Sequence, residues 1–146
     1  MKPYYRMETV TENQIVERIK KLKNKFPDFT IGAPTSICPI RDVLSTASDK
    51  WSILIILFLG YSKVLRFGEL KKYVSQISSK VLSERLKKLE RDGYITKKIF
   101  AEVPIRVEYQ LTSLGYRYLE KLIVLSEWVT EEMDTIVENR KKYDKK

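Results

Sequence analysis

From Ser79 to Asp92 the chain reads Ser-Lys-Val-Leu-Ser-Glu-Arg-Leu-Lys-Lys-Leu-Glu-Arg-Asp. At about 100° per residue, Leu82, Leu86 and Leu89 fall within one narrow sector of a helix. Lys80, Glu84, Lys87 and Arg91 fall on the opposite face, with Ser83 and Lys88 at its margins. Such a helix buries a leucine ridge and turns outward short hydroxyls near its start and long cations further along. Serine and lysine in that arrangement reach hydrogen-bonding edges of bases in a major groove, while lysine and arginine also neutralise phosphates. Glu84 has two readings: it accepts from a cytosine amino group, or it pairs with Lys80 or Lys88 four residues away, and the spacing favours the ion pair.

Other chemistry is scarce. The 146 residues contain no histidine and one cysteine, which removes the histidine-based catalytic relays, histidine-ligated metals and multi-thiolate zinc sites. No phosphate loop, metal-ligand cluster or nucleophile–base pair is present, so the reading is not an enzyme and calls for no cofactor or metal. A net charge of +9 asks for a polyanionic partner. That charge is uneven: eleven basic against four acidic side chains lie between Lys63 and Lys98, whereas residues 113–146 carry seven of each. The longest apolar run, Ile53 to Leu59, is far too short to cross a bilayer, and the first residues lack the apolar stretch of a leader. A cytoplasmic protein with no membrane partner is expected.

The elements that must hold the cationic helix follow from patterning. Thr9 and Glu12 read as a capping box for a helix with the stripe Ile15, Ile19, Leu22 and Phe26, ended by Pro27. A short helix follows Pro39. Ser48 or Asp49 caps an almost wholly apolar helix from Lys50 to Leu59, with Gly60 as its stop. Phe67, Leu70 and Val74 mark a further helix that carries Arg66, Lys71 and Lys72 on its other side. Ser78 or Ser79 caps the cationic helix, and Gly93 closes it. Two alternating strands, from Tyr94 to Phe100 and from Arg106 to Leu111, flank a turn at Pro104. Thr112 then caps a helix reaching about Asn139, with Leu119, Leu122, Leu125, Val129, Met133 and Ile136 spaced by three or four as a packing seam. The expected fold is α+β, mostly α: a winged helix-turn-helix with N- and C-terminal dimerisation helices. Residues 1–37 form an amphipathic helix and connector, 38–112 the DNA-binding domain, and 113–146 the dimerisation helix with a basic tail. Lys97, Lys98 and Arg106 in the hairpin reach phosphates or the minor groove.

The ordered series Cys38-Pro39-Ile40, Lys50-Trp51, Phe67-Gly68-Glu69-Leu70, Ile77 to Ser83, Arg85 to Gly93, Glu102 to Tyr109 and Leu111 to Gly115 resembles the HxlR family of MarR-related winged-helix regulators. The resemblance covers roughly residues 38–130. It implies a homodimer that binds a pseudo-palindromic operator in double-stranded DNA and regulates transcription. Two positions depart from the family pattern: Ser48-Asp49 stands where many members have Gly-Gly, and Pro104-Ile105-Arg106 where they have Pro-Pro-Arg. Cys38 lies where some members carry a thiol that senses oxidants or electrophiles, and Arg41 is placed to depress its pKa. An oxidant or a small molecule is therefore the candidate effector, against a plain half-buried thiol without chemistry. Trp51 reads as a core anchor, and Trp128, Tyr116 and Tyr118 as seam packing before pocket lining. The competing reading is a winged-helix protein–protein module whose basic face meets an acidic protein.

Overall fold

A computed structural model describes residues 11–25 and 39–146, with backbone alone for 39–41. Thr9, Phe26 and Cys38 lie outside the described residues. The chain forms two compact units, residues 1–45 and 46–146.

In the first unit, α1 spans Glu12–Lys25. Its cap is two residues later than the Thr9 box: the Thr11 N–H donates to Gln14 Oε1 at 2.9 Å, and the Gln14 N–H donates to Thr11 Oγ1 at 3.4 Å. Glutamine serves as well as glutamate in this reciprocal arrangement. Ile15, Ile19 and Leu22 share a face, and no residue of α1 is buried.

The second unit begins at the end of α2 (Pro39–Ala47) and continues through α3 (Lys50–Ser62), β1 (Val64–Arg66), α4 (Phe67–Val74), α5 (Ser79–Arg91), β2 (Ile95–Phe100), β3 (Arg106–Leu111) and α6 (Ser113–Asp144). The three strands form an antiparallel sheet in the order β1-β3-β2. Patterning missed β1, because three residues are too few to show alternation; it pairs Leu65 with Tyr109 on the side of β3 opposite β2. Ile55, Ile56 and Leu59 of α3, Leu70 of α4, Leu82, Leu86 and Leu89 of α5, and Ile95 of β2 make one continuous core. Asp49 caps α3 by accepting from the Ser52 N–H at 3.0 Å.

Gly60 does not stop α3. The helix runs on to Ser62 and closes at Lys63, whose φ is 67°. Gly60 serves packing instead: a Cβ there would overlap Leu119 of α6, so the glycine lets the two helices approach closely. The last helix is also longer than expected. It takes in most of the basic tail, and its 32 residues make a rod of about 48 Å. The first three turns of the rod are tied to the domain. Thr112 caps it, Leu122 is buried in the core, and the Tyr118 hydroxyl donates to the Ala47 carbonyl. Burial, with neighbouring Tyr94 as a lesser cause, pushes the Tyr118 pKa up to about 12, so this donor keeps its proton at any physiological pH.

The α4–α5 turn is strained. Ser75 has φ 53° and ψ 148°, a region that only glycine occupies at little cost, and Gln76 follows at φ 55°. Ser75→Gly is expected to stabilise the domain by about 1 kcal/mol, read as a higher urea midpoint with unchanged slope.

Candidate nucleic-acid interface

The α5 rod is built so that one face is fixed and the other is free. Ser78 caps it, its Oγ accepting from the Val81 N–H at 3.2 Å, and Leu82, Leu86 and Leu89 are buried against α3 and the sheet. Lys80, Glu84, Lys87, Lys88 and Arg91 are exposed, with Ser83 half-buried at the edge. The ion pair expected for Glu84 does not form: among the described residues neither Lys80 nor Lys88 lies within 4.0 Å of its carboxylate. Lys80, Lys87 and Lys88 are likewise without a carboxylate partner, and Arg91 turns to the neighbouring Asp92 at 3.0 Å. Three cations and one carboxylate therefore project from an apolar-anchored rod with no ion-pair partner among the described residues.

Among the described residues three side-chain contacts tie α5 to its surroundings, one near each end and one at the middle. Lys71 Nζ donates to Ser79 Oγ at 2.8 Å and joins α4 to the first turn. Arg85 Nε meets Asp49 Oδ2 at 2.9 Å and joins α5 to the cap of α3. Lys97 Nζ lies 3.4 Å from Glu90 Oε2 and joins β2 to the last turn. Sequence patterning had assigned Asp49 only to capping and had passed over Arg85. The one available signal was the position of Arg85 on the wheel, at the border of the leucine ridge.

On α4, Lys72 is exposed beside Lys71, and Arg66 sits at the helix start, where its N–H donates to Glu69 Oε2 at 2.7 Å. In the β2–β3 hairpin the two neighbouring lysines face opposite ways. Lys97 is paired across the sheet with Tyr109 and Lys98 with Glu108. Burial raises the pKa of Tyr109, with Lys97 opposing and Glu90 adding to the rise. Lys98 shares its face with Phe100 and Arg106. Arg106 is not a free cation: its guanidinium lies 3.9 Å from the centre of the Phe100 ring and contacts Glu102 at 3.1 Å and Glu108 at 3.5 Å. It stiffens the wing, and its charge is answered by two carboxylates. Lys98, exposed and with its Nζ 5.0 Å from the centre of the Phe100 ring, has no carboxylate within 4.0 Å among the described residues.

The cysteine and the N-terminal Phe26 fall outside the described residues. Of the seam residues on α6, Leu122 belongs to the core of its own domain and is removed from any outward face. Leu125, Trp128 and Met133 remain about half exposed, with Val129 and Ile136 partly covered between them.

The pattern of the HxlR-like helix-turn-helix family matches residues 46–137, well over half of the chain. The chain belongs to the HxlR family. Over 92 residues it is 36% identical to the HTH-type transcriptional regulator YtfH of Escherichia coli, a match covering 63% of this chain and 72% of that one. The solved structure of the transcriptional regulator ytfH from Salmonella typhimurium superposes with a TM-score of 0.68 at 30% identity, covering 75% of this chain and 97% of that one. The redox regulator HypR in its reduced form superposes with a TM-score of 0.63 at 25% identity, covering 68% and 98%. The HxlR protein described here is thus a winged helix-turn-helix DNA-binding transcriptional regulator, like the transcriptional regulators it resembles. No described helix is long and apolar enough to cross a membrane.

Proposed function

We propose that this HxlR protein is a homodimeric regulator that binds a pseudo-palindromic operator in the cytoplasm. Residues 38–112 carry the DNA contacts and the flanking helices join two copies. The outward face of α5 carries this reading: exposed lysines without carboxylate partners among the described residues, on a rod whose other side buries Leu82, Leu86 and Leu89. Lys80, Ser83 and Lys87 enter the major groove. Lys71, Lys72, Arg66 and the α5 start at Ser78 and Ser79 lie along the backbone, with Lys88, Arg91 and the wing residues Lys97 and Lys98 reaching phosphates further out. Glu84, lacking an ion pair, is the residue placed to accept from a base amino group. Arg106 supports the wing and reaches DNA only by leaving its carboxylates.

Selection of bound sequences from random duplexes tests the reading. A symmetric consensus with half-sites about 34 Å apart is the expected result, and recovery of no sequence preference would favour the protein–protein module instead. Lys87→Ala is expected to weaken binding to every duplex and to reduce the slope of log affinity against log salt by about 1; an unchanged slope takes Lys87 off the phosphates. Ser83 and Lys80 substitutions shift the selected consensus more than the affinity. The redox-regulator relative supports an oxidant-responsive role for Cys38. Peptide mass spectrometry after mild oxidant treatment checks it, and a Cys38 left without adduct or intersubunit disulfide ends that part of the proposal.

A further inference from the structure

We propose that Asp49 and Arg85 are the positioning pair that sets the roll of α5 in the DNA groove. This rests on the reading of α5 as the groove helix. The apolar ridge of Leu82, Leu86 and Leu89 holds α5 against the core, but apolar contact is non-directional and resists rotation about the ridge only weakly. A roll of about 10° moves a side-chain head some 6 Å from the helix axis by about 1 Å, enough to lose a directional hydrogen bond to a base. Something polar has to fix the angle.

Of the three polar ties on α5, two use lysines that the proposed interface draws toward phosphates. Lys71 and Lys97 are exposed and free to exchange partners when DNA arrives. The Asp49–Arg85 pair differs. Its side chains are only 23% and 25% exposed, and Arg85 lies at the border of the core, away from the outward face. The carboxylate is itself fixed. Asp49 Oδ2 accepts from the Ser52 N–H at 3.0 Å and the Ser52 hydroxyl at 3.3 Å, and Ser52 is completely buried in the first turn of α3; the contact of the same oxygen with Arg85 Nε is an ion pair, not an aligned hydrogen bond. One oxygen thus links the cap of the central helix to the midpoint of the groove helix, two residues beyond Ser83 and two before Lys87. These residues act on recognition through α5 without touching a base.

The test uses the full chain with Asp49→Asn, Arg85→Gln and the double substitution. Asparagine keeps the capping acceptor for Ser52 while losing the charge, so α3 remains capped. Affinities are measured for the selected duplex and a scrambled one across a salt series, with circular dichroism confirming the fold. Each single change is expected to reduce the ratio of the two affinities about tenfold, the scale of one mismatched base pair, with scrambled-duplex affinity and salt slope unchanged. The double variant loses no more than either single, as one shared contact requires. Should Asp49→Asn unfold the domain, Arg85→Lys, which keeps the charge but loses the Nε contact, carries the same expectation. An unchanged ratio in the single variants overturns the positioning role. So does a slope reduced by about 1 in Arg85→Gln, which makes Arg85 a phosphate contact, and so do losses that simply add. Wild-type protein that binds no duplex fails the groove reading itself, a result distinct from wild-type discrimination that Arg85→Gln leaves intact.

Discussion

Glutamate at both Leu125 and Met133 is expected to leave the domain folded, render the protein monomeric, and weaken binding to a two-half-site duplex by about 10²-fold or more. Both side chains are about half exposed on α6, beyond the turns that pack on the core, so their loss opens no cavity. Leu122 is the wrong residue to test, because its side chain is core and its loss would unfold the domain instead. The rod also carries opposite charges in blocks. Glu127, Glu131, Glu132, Asp134 and Glu138 precede Arg140, Lys141 and Lys142, with Asp144 at the end of the rod and Lys145 and Lys146 just beyond it. Antiparallel pairing of two rods sets acid against base, whereas parallel pairing sets like against like. Two new acids on the seam add repulsion to lost apolar contact. Sedimentation velocity reads the mass, and gel retardation compares the full site with an isolated half-site. Affinity for the half-site should change little. A double variant that sediments as a dimer moves the interface away from this part of α6.

What was legible in the sequence was whatever rests on short-range periodicity. The leucines of α5 and their opposed lysines follow from one rotation rule, and Thr112 and Gly93 marked element ends because capping and positive φ demand those residue types; the pairs Ser48 or Asp49 and Ser78 or Ser79 were left open by type, and the structure uses Asp49 and Ser78. Gly60 was misjudged because a glycine in an apolar helix reads as a stop until the partner helix is seen; the reason for it is Leu119, 59 residues away. Ion pairs were misjudged for the same cause. Local spacing offered Lys80 and Lys88 to Glu84, yet the carboxylates engaged by basic side chains of the site include Asp49 on α3 and Glu90 opposite β2, brought there by tertiary packing. The wing arginine was read as a DNA contact from its charge alone; cross-strand register puts Phe100 beside it, and strand alternation puts Glu108, two residues on, on the same face.

Gly115 shows how far such packing reverses a local rule. In an ordinary helix interior, Gly→Ala is worth about 1 kcal/mol of stabilisation. At Gly115, in the first turn of α6, an added Cβ would overlap the Tyr94 backbone carbonyl and lie 3.2 Å from two atoms of the Leu111 side chain. That carbonyl already accepts from the Thr112 N–H at 3.0 Å and the Thr112 hydroxyl at 3.1 Å, while the Gly115 N–H donates back to Thr112 Oγ1 at 3.0 Å. Backbone cannot swing aside as a side chain can, so α6 has to lift from the sheet and these contacts stretch together. Overpacking of about 1–3 kcal/mol and a weakened cap of about 1 kcal/mol make Gly115→Ala destabilising by about 3 kcal/mol. Gly60→Ala should cost less, since the obstacle there is the movable end of Leu119. Gly68→Ala, with no atom within 4 Å of the new Cβ, should be stabilising. Urea unfolding of the three variants orders them. Gly115→Ala as stable as wild type would mean that α6 meets the sheet through a looser joint than the Thr112 and Tyr94 contacts describe.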